Sequence, residues 1–307
     1  MNKFPLISYL GLWCFSTMAQ RVKLGLHLKE DSTYTQTSEA KSFVEQMVQG
    51  RSIKLDVDIK EKTSFLVKQI NGDVYNLEVR YKSLELDMSV PQGSMRYSSE
   101  KKDSTDIMSM FLRQMVEKPF YVKMRTSGKV DKVLGVDKLW KDILKSYPQM
   151  TDAQKSQIGT QMSQSFGGDA VKGNFEMLTA IYPDKPVARG EKWTISGKLK
   201  LPIILLTEWT TFEYEGSTAS TYLIHGNSKM QTGDKNALVQ SNGVKLRCDL
   251  SGTRVSDLEI DKKSGWIVSG HLTTSLQGLA LIPDSPQNSG GMKIPIFTKN
   301  EILVSNK

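Results

Sequence analysis

From Arg51 to Val90 apolar and polar residues alternate with a period of two: Ile53, Leu55, Val57 and Ile59 against Lys54, Asp56 and Asp58, with a second alternating run after Asn71-Gly72. Successive side chains of a strand face opposite sides, so the pattern predicts two long strands, each buried on one face, joined at an Asn-Gly turn. In the second arm Tyr75, Leu77, Val79 and Tyr81 occupy odd positions, whereas Leu84, Leu86, Met88 and Val90 occupy even ones. A one-residue phase change at Lys82-Ser83 predicts a β-bulge, which bends and twists a strand, and therefore a curved sheet.

The alternation of Val22, Leu24, Leu26 and Leu28 predicts another strand ahead of this hairpin, with His27 on its polar side. Helical spacing takes over at Ile107, Met108, Phe111, Leu112 and Met115, after candidate caps at Asp103 and Ser104 and before Pro119. A short hairpin follows at Tyr121–Val133, turning at Ser127-Gly128. Leu139, Trp140, Ile143, Leu144 and Tyr147 mark a second helix, and Thr151 with Gln154 forms a capping-box pattern opening a third, whose stripe is Ile158, Met162 and Phe166. Residues 170–182 fit strand or helix. Strand patterns return at 191–198, 203–215, 219–230, 244–260, 264–281 and 292–305, with loops at Gly233–Asn236 and Pro283–Gly291. The fold class expected is mainly β (α+β), a long curved antiparallel sheet or open barrel or clam with a helical insertion at about 103–168. It forms a single domain over 20–307 in which 103–182 is the inserted region.

The amino terminus reads as an export signal: Lys3, an apolar run over 4–16, and the small residues Thr17 and Ala19 before Gln20. Cleavage near Ala19 and a periplasmic or extracellular location are expected. Leu12 and Trp13 are too bulky to precede a lipidated Cys14. Without Cys14 only Cys248 remains, so no intramolecular disulfide forms, and Cys248 falls in the apolar alternation of Val244, Leu246 and Leu250. The formal charge of +8 is spread among interspersed acids and bases, as in Glu100-Lys101-Lys102-Asp103. That reads as a mixed-charge solvated surface and gives no nucleic-acid partner.

Several segments carry a resemblance: Asn71-Gly72-Asp73-Val74-Tyr75, Val90-Pro91-Gln92-Gly93-Ser94-Met95, Ser98-Ser99-Glu100-Lys101-Lys102, Pro183-Asp184-Lys185-Pro186-Val187, Gly190-Glu191-Lys192-Trp193-Thr194 and Asp261-Lys262-Lys263-Ser264-Gly265-Trp266-Ile267. Through them the chain resembles a family of uncharacterised secreted proteins from Bacteroidota. The resemblance implies an exported bacterial protein and transfers no site residue. In architecture alone the expected fold is also similar to periplasmic lipoprotein carriers, in which helices plug a curved sheet around an acyl-chain cavity.

Catalytic signatures are missing. His27, His225 and His271 lie on separate strands with no metal-ligand spacing, and there is no nucleophile elbow, phosphate loop or dinucleotide fingerprint. No cofactor, metal or catalytic residue is expected. Ser38-Glu39-Ala40-Lys41, Ser98-Ser99-Glu100-Lys101 and Lys263-Ser264-Gly265 mimic pieces of penicillin-recognising enzymes without the helical context that chemistry needs. Asp56 and Asp58 share a face with Lys54 and Lys60, which reads as balanced surface charge, and Trp193, Trp209, Phe212, Tyr214, Tyr222 and Trp266 form either core or an aromatic platform. Methionine is the least ordinary feature: Met108, Met110, Met115, Met124, Met150, Met162 and Met177 lie in or beside the helical region. Thioether side chains adapt to irregular apolar partners, either core gaps or a ligand. The ligand reading places an apolar or amphiphilic, lipid-like molecule against Met108, Phe111, Leu112, Met115, Trp140, Leu144 and Met162, between the three helices and the sheet, in a non-catalytic envelope protein associated with the outer membrane surface. The competing readings are an interaction module pairing through exposed strands and, third, an enzyme.

Overall fold

The computed structural model describes residues 20–102, 106–200, 204–241, 244–284 and 290–307. The proposed signal at 1–19 and the cap candidates Asp103 and Ser104 lie outside them. The sheet comprises β1 (Thr33–Val48), β2 (Arg51–Asn71), β3 (Val74–Val90), β4 (Gly93–Ser98), β5 (Phe120–Arg125), β6 (Val130–Leu134), β7 (Lys192–Lys200), β8 (Leu205–Ser217), β9 (Thr221–Thr232), β10 (Val239–Ser241), β11 (Val244–Asp261), β12 (Ile267–Ile282) and β13 (Met292–Ser305). The helices are α1 (Ile107–Met115), α2 (Val136–Lys145), α3 (Asp152–Phe166) and α4 (Gly168–Thr179). All strand pairs are antiparallel, in the order β6-β5-β3-β2-β1-β13-β12-β11-β9-β8-β7, with β4 on β3 and β10 on β11.

The long hairpin forms at the Asn-Gly turn, where Asn71 pairs Val74 and Gly72 has φ 61°. The bulge forms too. Lys62 pairs Ser83 and Thr63 pairs Tyr81, leaving Lys82 unpaired and free to reach the Glu117 carboxylate at 2.8 Å. Both phases of β3 thus face inward, the first through Tyr75, Leu77, Val79 and Tyr81, the second through Leu84. β1 unites the sheet: its flanks pair with β2 on one side and β13 on the other, with Ala40 opposite both Ile59 and Ile302.

The sheet does not close into a barrel. It curls until its edge strands, β6 and β7, both meet α4. On the β6 side the Val130 amide donates to Glu176 Oε1 at 2.9 Å and Lys172 Nζ donates to the Val130 carbonyl. On the β7 side Lys200 pairs with Asp169 at 2.6 Å, and Gly173 lets Leu199 come close. Trp193 Nε1 donates to the Ile181 carbonyl just beyond α4. The region 170–182, which fits either element by sequence, is therefore helix over most of its length, and at Val130 on β6 the helix supplies the polar partners an edge strand lacks. From α4, Phe175 reaches Phe65 across the interior (5.2 Å between ring centroids), and Phe65 reaches Trp266 at 4.9 Å.

The other helices follow the expected stripes. Asp106 caps α1 by accepting from the Met108 and Ser109 amides, and the Thr151/Gln154 capping box opens α3. The first expected strand differs. Leu24, Leu26 and Leu28 are buried, but the segment is an extended strap with a single bridge, Val22 to Val187. Its other bonds go to Thr126, Ser264 and the Tyr75 hydroxyl. Alternation reports one-sided burial, which an irregular strap achieves as readily as a ladder.

At Gly128 φ is 78°, and an added Cβ would lie 1.7 Å from the Thr179 carbonyl oxygen. Gly190 has φ 81° with nothing within 4 Å. Gly190→Ala is expected to cost only the left-handed backbone penalty of about 1 kcal/mol. Gly128→Ala, which also forces the β5–β6 turn off the end of α4, is expected to cost about 3 kcal/mol, read from urea midpoints.

Candidate functional site

Strand register defines the inner face rank by rank. Thr210 pairs Ser228, Ser228 pairs Arg254, Arg254 pairs Thr274, Thr274 pairs Asn300 and Asn300 pairs Ser42. A polar belt therefore crosses β8, β9, β11, β12, β13 and β1 on the side that elsewhere buries Leu250, Leu258, Leu272 and Leu276. It divides two apolar regions. One contains Phe65, Phe111, Phe120, Trp140, Phe175, Ile260 and Trp266 and is filled by the helices. The other is built on Leu206, Met230, Leu246, Cys248, Leu250, Leu276 and Ala280, with Ile294 and Ile296 packed against it.

Arg254 anchors the belt, its side chain only 6% exposed. Its Nε donates to Thr274 Oγ1 at 3.0 Å and its Nη1 to Glu208 Oε1 at 2.8 Å, while Nη2 meets only the Met230 thioether at 3.8 Å. Burial lowers the guanidinium pKa, and the Glu208 carboxylate opposes that shift. Thr210 donates to Glu208 at 3.3 Å and shares a 2.8 Å bond with Ser228. Over this cluster, between α4 and the strands β7, β8, β9, β11 and β12, lies a cavity of about 260 Å³ bordered also by Gly173, Glu176, Leu199 and Ser256. Asn300 Oδ1 is buried on the same belt without a hydrogen-bond partner among the described residues.

Glu61 is a second inward-facing charge, opposite Ser38 on β1. Burial pushes its carboxyl above the ordinary value, an effect the Ser38 hydroxyl partly offsets. Tyr81, buried beside it, is pushed up as well.

Phe111, Leu112, Met115, Trp140, Leu144 and Met162, six of the ligand-site residues expected from sequence, are buried in the helix-filled core, and Met108 is partly buried against it. Phe111 packs edge-on against Tyr147 at 4.7 Å, and Trp140 lies against Phe166 with its Nε1 donating to the Phe166 carbonyl. Trp140 and Leu144 also line an open groove of about 570 Å³ between α2 and α3. The aromatic residues do not form one platform: Trp209 is exposed, Trp193 stacks on Phe212, and Tyr214 and Trp266 are buried. Asp56 and Asp58 border an outer-face groove with Asp87 and Arg96, which is 3.4 Å from Asp87. His225 bonds Asp257 and Asn227, and His271 bonds Glu301. Among the described residues no group of three or more His, Cys, Asp or Glu is placed to hold a metal ion. Cys248 is buried and its thiol pKa is raised by that burial, which makes it a poor nucleophile.

Arg254 and Glu61 are absent from the sequence-derived site, although both carried a signal. Arg254 falls in phase with Leu246, Cys248, Leu250, Leu258 and Ile260, and Glu61 in phase with Ile53, Leu55, Val57 and Ile59. A charge in the apolar phase of a long strand marks a buried ionisable group.

Two stability outcomes follow from these charges. Glu61 has a folded pKa above its unfolded 4.5, so its stabilising proton is held at low pH and lost as pH rises through the folded value. Glu61→Gln is therefore expected to melt above the parent at pH 7, with the gap narrowing towards pH 4.5; a constant gap in calorimetric scans would refute the assignment. Arg254→Met strands Glu208 and is expected to cost about 3–5 kcal/mol, whereas adding Glu208→Leu recovers most of it in a urea double-mutant cycle.

Among solved structures, the chain is similar to lipovitellin in a structure describing its lipid–protein interactions: 12% identity and a TM-score of 0.50 over 91% of this chain. The chain spans about a quarter (26%) of the lipovitellin chain. An outer membrane channel from Pseudomonas putida F1 aligns over 91% of this chain and 97% of its own at 7% identity, but its TM-score of 0.28 carries no argument. No curated protein sequence matches. A family model described as a family of unknown function (DUF6263) matches residues 72–267, most of the curled sheet and all four helices, and the chain belongs to that family.

Proposed function

We propose that this protein is exported and, without catalysing a reaction, binds an apolar or amphiphilic lipid-like ligand in the cell envelope. The observation that carries the reading is the inner face on the far side of the polar belt. There Val44, Leu55, Ile294 and Ile296 point inward by register yet stay partly exposed, and Ile53 is 45% exposed. Water-facing apolar rows on the concave side of a sheet are what an acyl chain covers. The ligand surface of this proposal is that trough, with the α2–α3 groove at Trp140 and Leu144 a second one. Lipovitellin supports the reading through its shared fold and its own lipid–protein interactions. Against the strand-pairing alternative, α4 packs on the two end strands, β6 and β7, although the short strands β4 and β10 keep an open edge.

The test is native mass spectrometry of protein purified from an envelope fraction, with solvent extraction of whatever is bound. A lipid-mass adduct removed by extraction is expected. Leu55→Asp combined with Ile296→Asp is expected to weaken diphenylhexatriene binding about tenfold or more with an unchanged far-ultraviolet spectrum. Lipid-free protein that also fails to bind the dye overturns the proposal.

A further inference from the structure

The cavity beneath α4 differs in kind from the trough. Its volume of about 260 Å³ lies below the range of about 300–1,000 Å³ that encloses a whole small ligand, so it suits one end of a molecule. Its floor is the Arg254–Glu208 pair, and one rank away on the same inner face are Met230 and Leu276, followed by Leu206 and Leu250. These four side chains are buried together, and the partly exposed apolar rows begin beyond them, on β13, β1 and β2.

Among the described residues the polar atoms on the floor are incompletely used. Arg254 Nη2 has a thioether as its partner, a weak acceptor for a buried cationic nitrogen. The hydrogen bonds from Arg254 and Thr210 both end on Glu208 Oε1, which leaves Oε2 as an acceptor. Ser256 Oγ borders the same space and makes only a 3.5 Å contact to the Gly226 carbonyl. The site therefore offers donors and acceptors at no net charge. A carboxylate placed there would meet Glu208 as well as the guanidinium, and an ammonium would meet Arg254, each adding a third desolvated charge to a pair that is already neutral. Lys129 and Lys198 at the mouth are solvent-exposed and screened. The other acid of the lining, Glu176, is held by Lys172 and the Val130 amide.

We propose, resting on the amphiphile-binding reading above, that this cavity is a head-group site for the uncharged, oxygen-bearing end of an amphiphile, an alcohol or ester of the monoacylglycerol type. Arg254 is its donor and Glu208 its acceptor.

The experiment compares two ligands with the same tail, 1-monoolein and oleate, by displacement of diphenylhexatriene from the full chain and from Glu208→Gln. This variant keeps the shape and removes the charge, and its far-ultraviolet spectrum checks folding. The parent is expected to prefer monoolein by about tenfold. In Glu208→Gln the guanidinium is no longer neutralised, so oleate is expected to gain about tenfold and the preference to vanish or reverse. If the dye binds but the parent discriminates by less than about threefold or favours oleate, the head-group site is overturned while the trough stands. An unchanged ratio in Glu208→Gln has the same consequence. If neither the dye nor either amphiphile binds, the amphiphile reading itself falls and takes the head-group site with it.

Discussion

The architecture depends on how an open sheet meets its own ends. A strand edge presents unpaired amides and carbonyls, which either recruit another strand or must be satisfied within the chain. Here one helix serves both edges. Glu176 and Lys172 meet the amide and carbonyl of Val130 on β6, Asp169 meets Lys200 on β7, and Gly173 allows the close approach. A buried backbone group left unpaired costs about 1–3 kcal/mol, which the helix spares at Val130 on β6, while on β7 it holds the edge through apolar packing on Leu199 and an exposed ion pair. The curl in turn brings β2 and β12 near enough for Phe175, Phe65 and Trp266 to form a continuous aromatic core, and it makes the inner face concave.

Concavity gives the polar belt its meaning. On a flat sheet a row of Thr210, Ser228, Arg254, Thr274, Asn300 and Ser42 would be ordinary wet surface. Inside the curl the same row separates a packed half from an incompletely covered one. A buried ion pair is weak grounds for stability, because apolar residues of similar volume commonly serve as well or better. The Arg254–Glu208 pair is thus better explained by what it presents to the cavity above it than by what it adds to folding. The free-energy cost of breaking it and the reason for having it are separate quantities.

Much of this was legible in the sequence, and the failures share a cause. The bulge at Lys82, the Asn71-Gly72 turn, the capping box at Thr151 and the six carboxy-terminal strands are local signals, and each appears in the structure. β1 is not legible in this way, because Thr33–Val48 carries few apolar residues and is covered only partially on both faces, so it has no strong period-two contrast. The pairing of β1 with β13 joins residues 250 or more positions apart, and no local pattern encodes it. The helical stripes of Phe111, Leu112 and Met115 correctly announced an apolar neighbour. A stripe does not say whether that neighbour is a ligand or Phe120 and Tyr81, and here the packed core supplies it. The informative positions were the exceptions to the pattern, Glu61 and Arg254, each a charge where the phase called for an apolar side chain.

The open half also constrains what kind of binder the proposal describes. Fully burying a large aliphatic side chain is worth about 1.5–3 kcal/mol, but Val44, Leu55, Ile294 and Ile296 are already partly covered, so each has only a fraction of that left to give. A tail lying in the trough keeps one side towards water and must still offset the cost of association. A ligand bound as proposed would therefore be held less tightly than in a sealed cavity and would exchange faster. Specificity then has to come from the enclosed end, where hydrogen bonds are made away from water. In the proposed site the belt would be that end: a site that pairs an ester or hydroxyl while leaving the tail loosely held would discriminate by head group and tolerate variation in chain length.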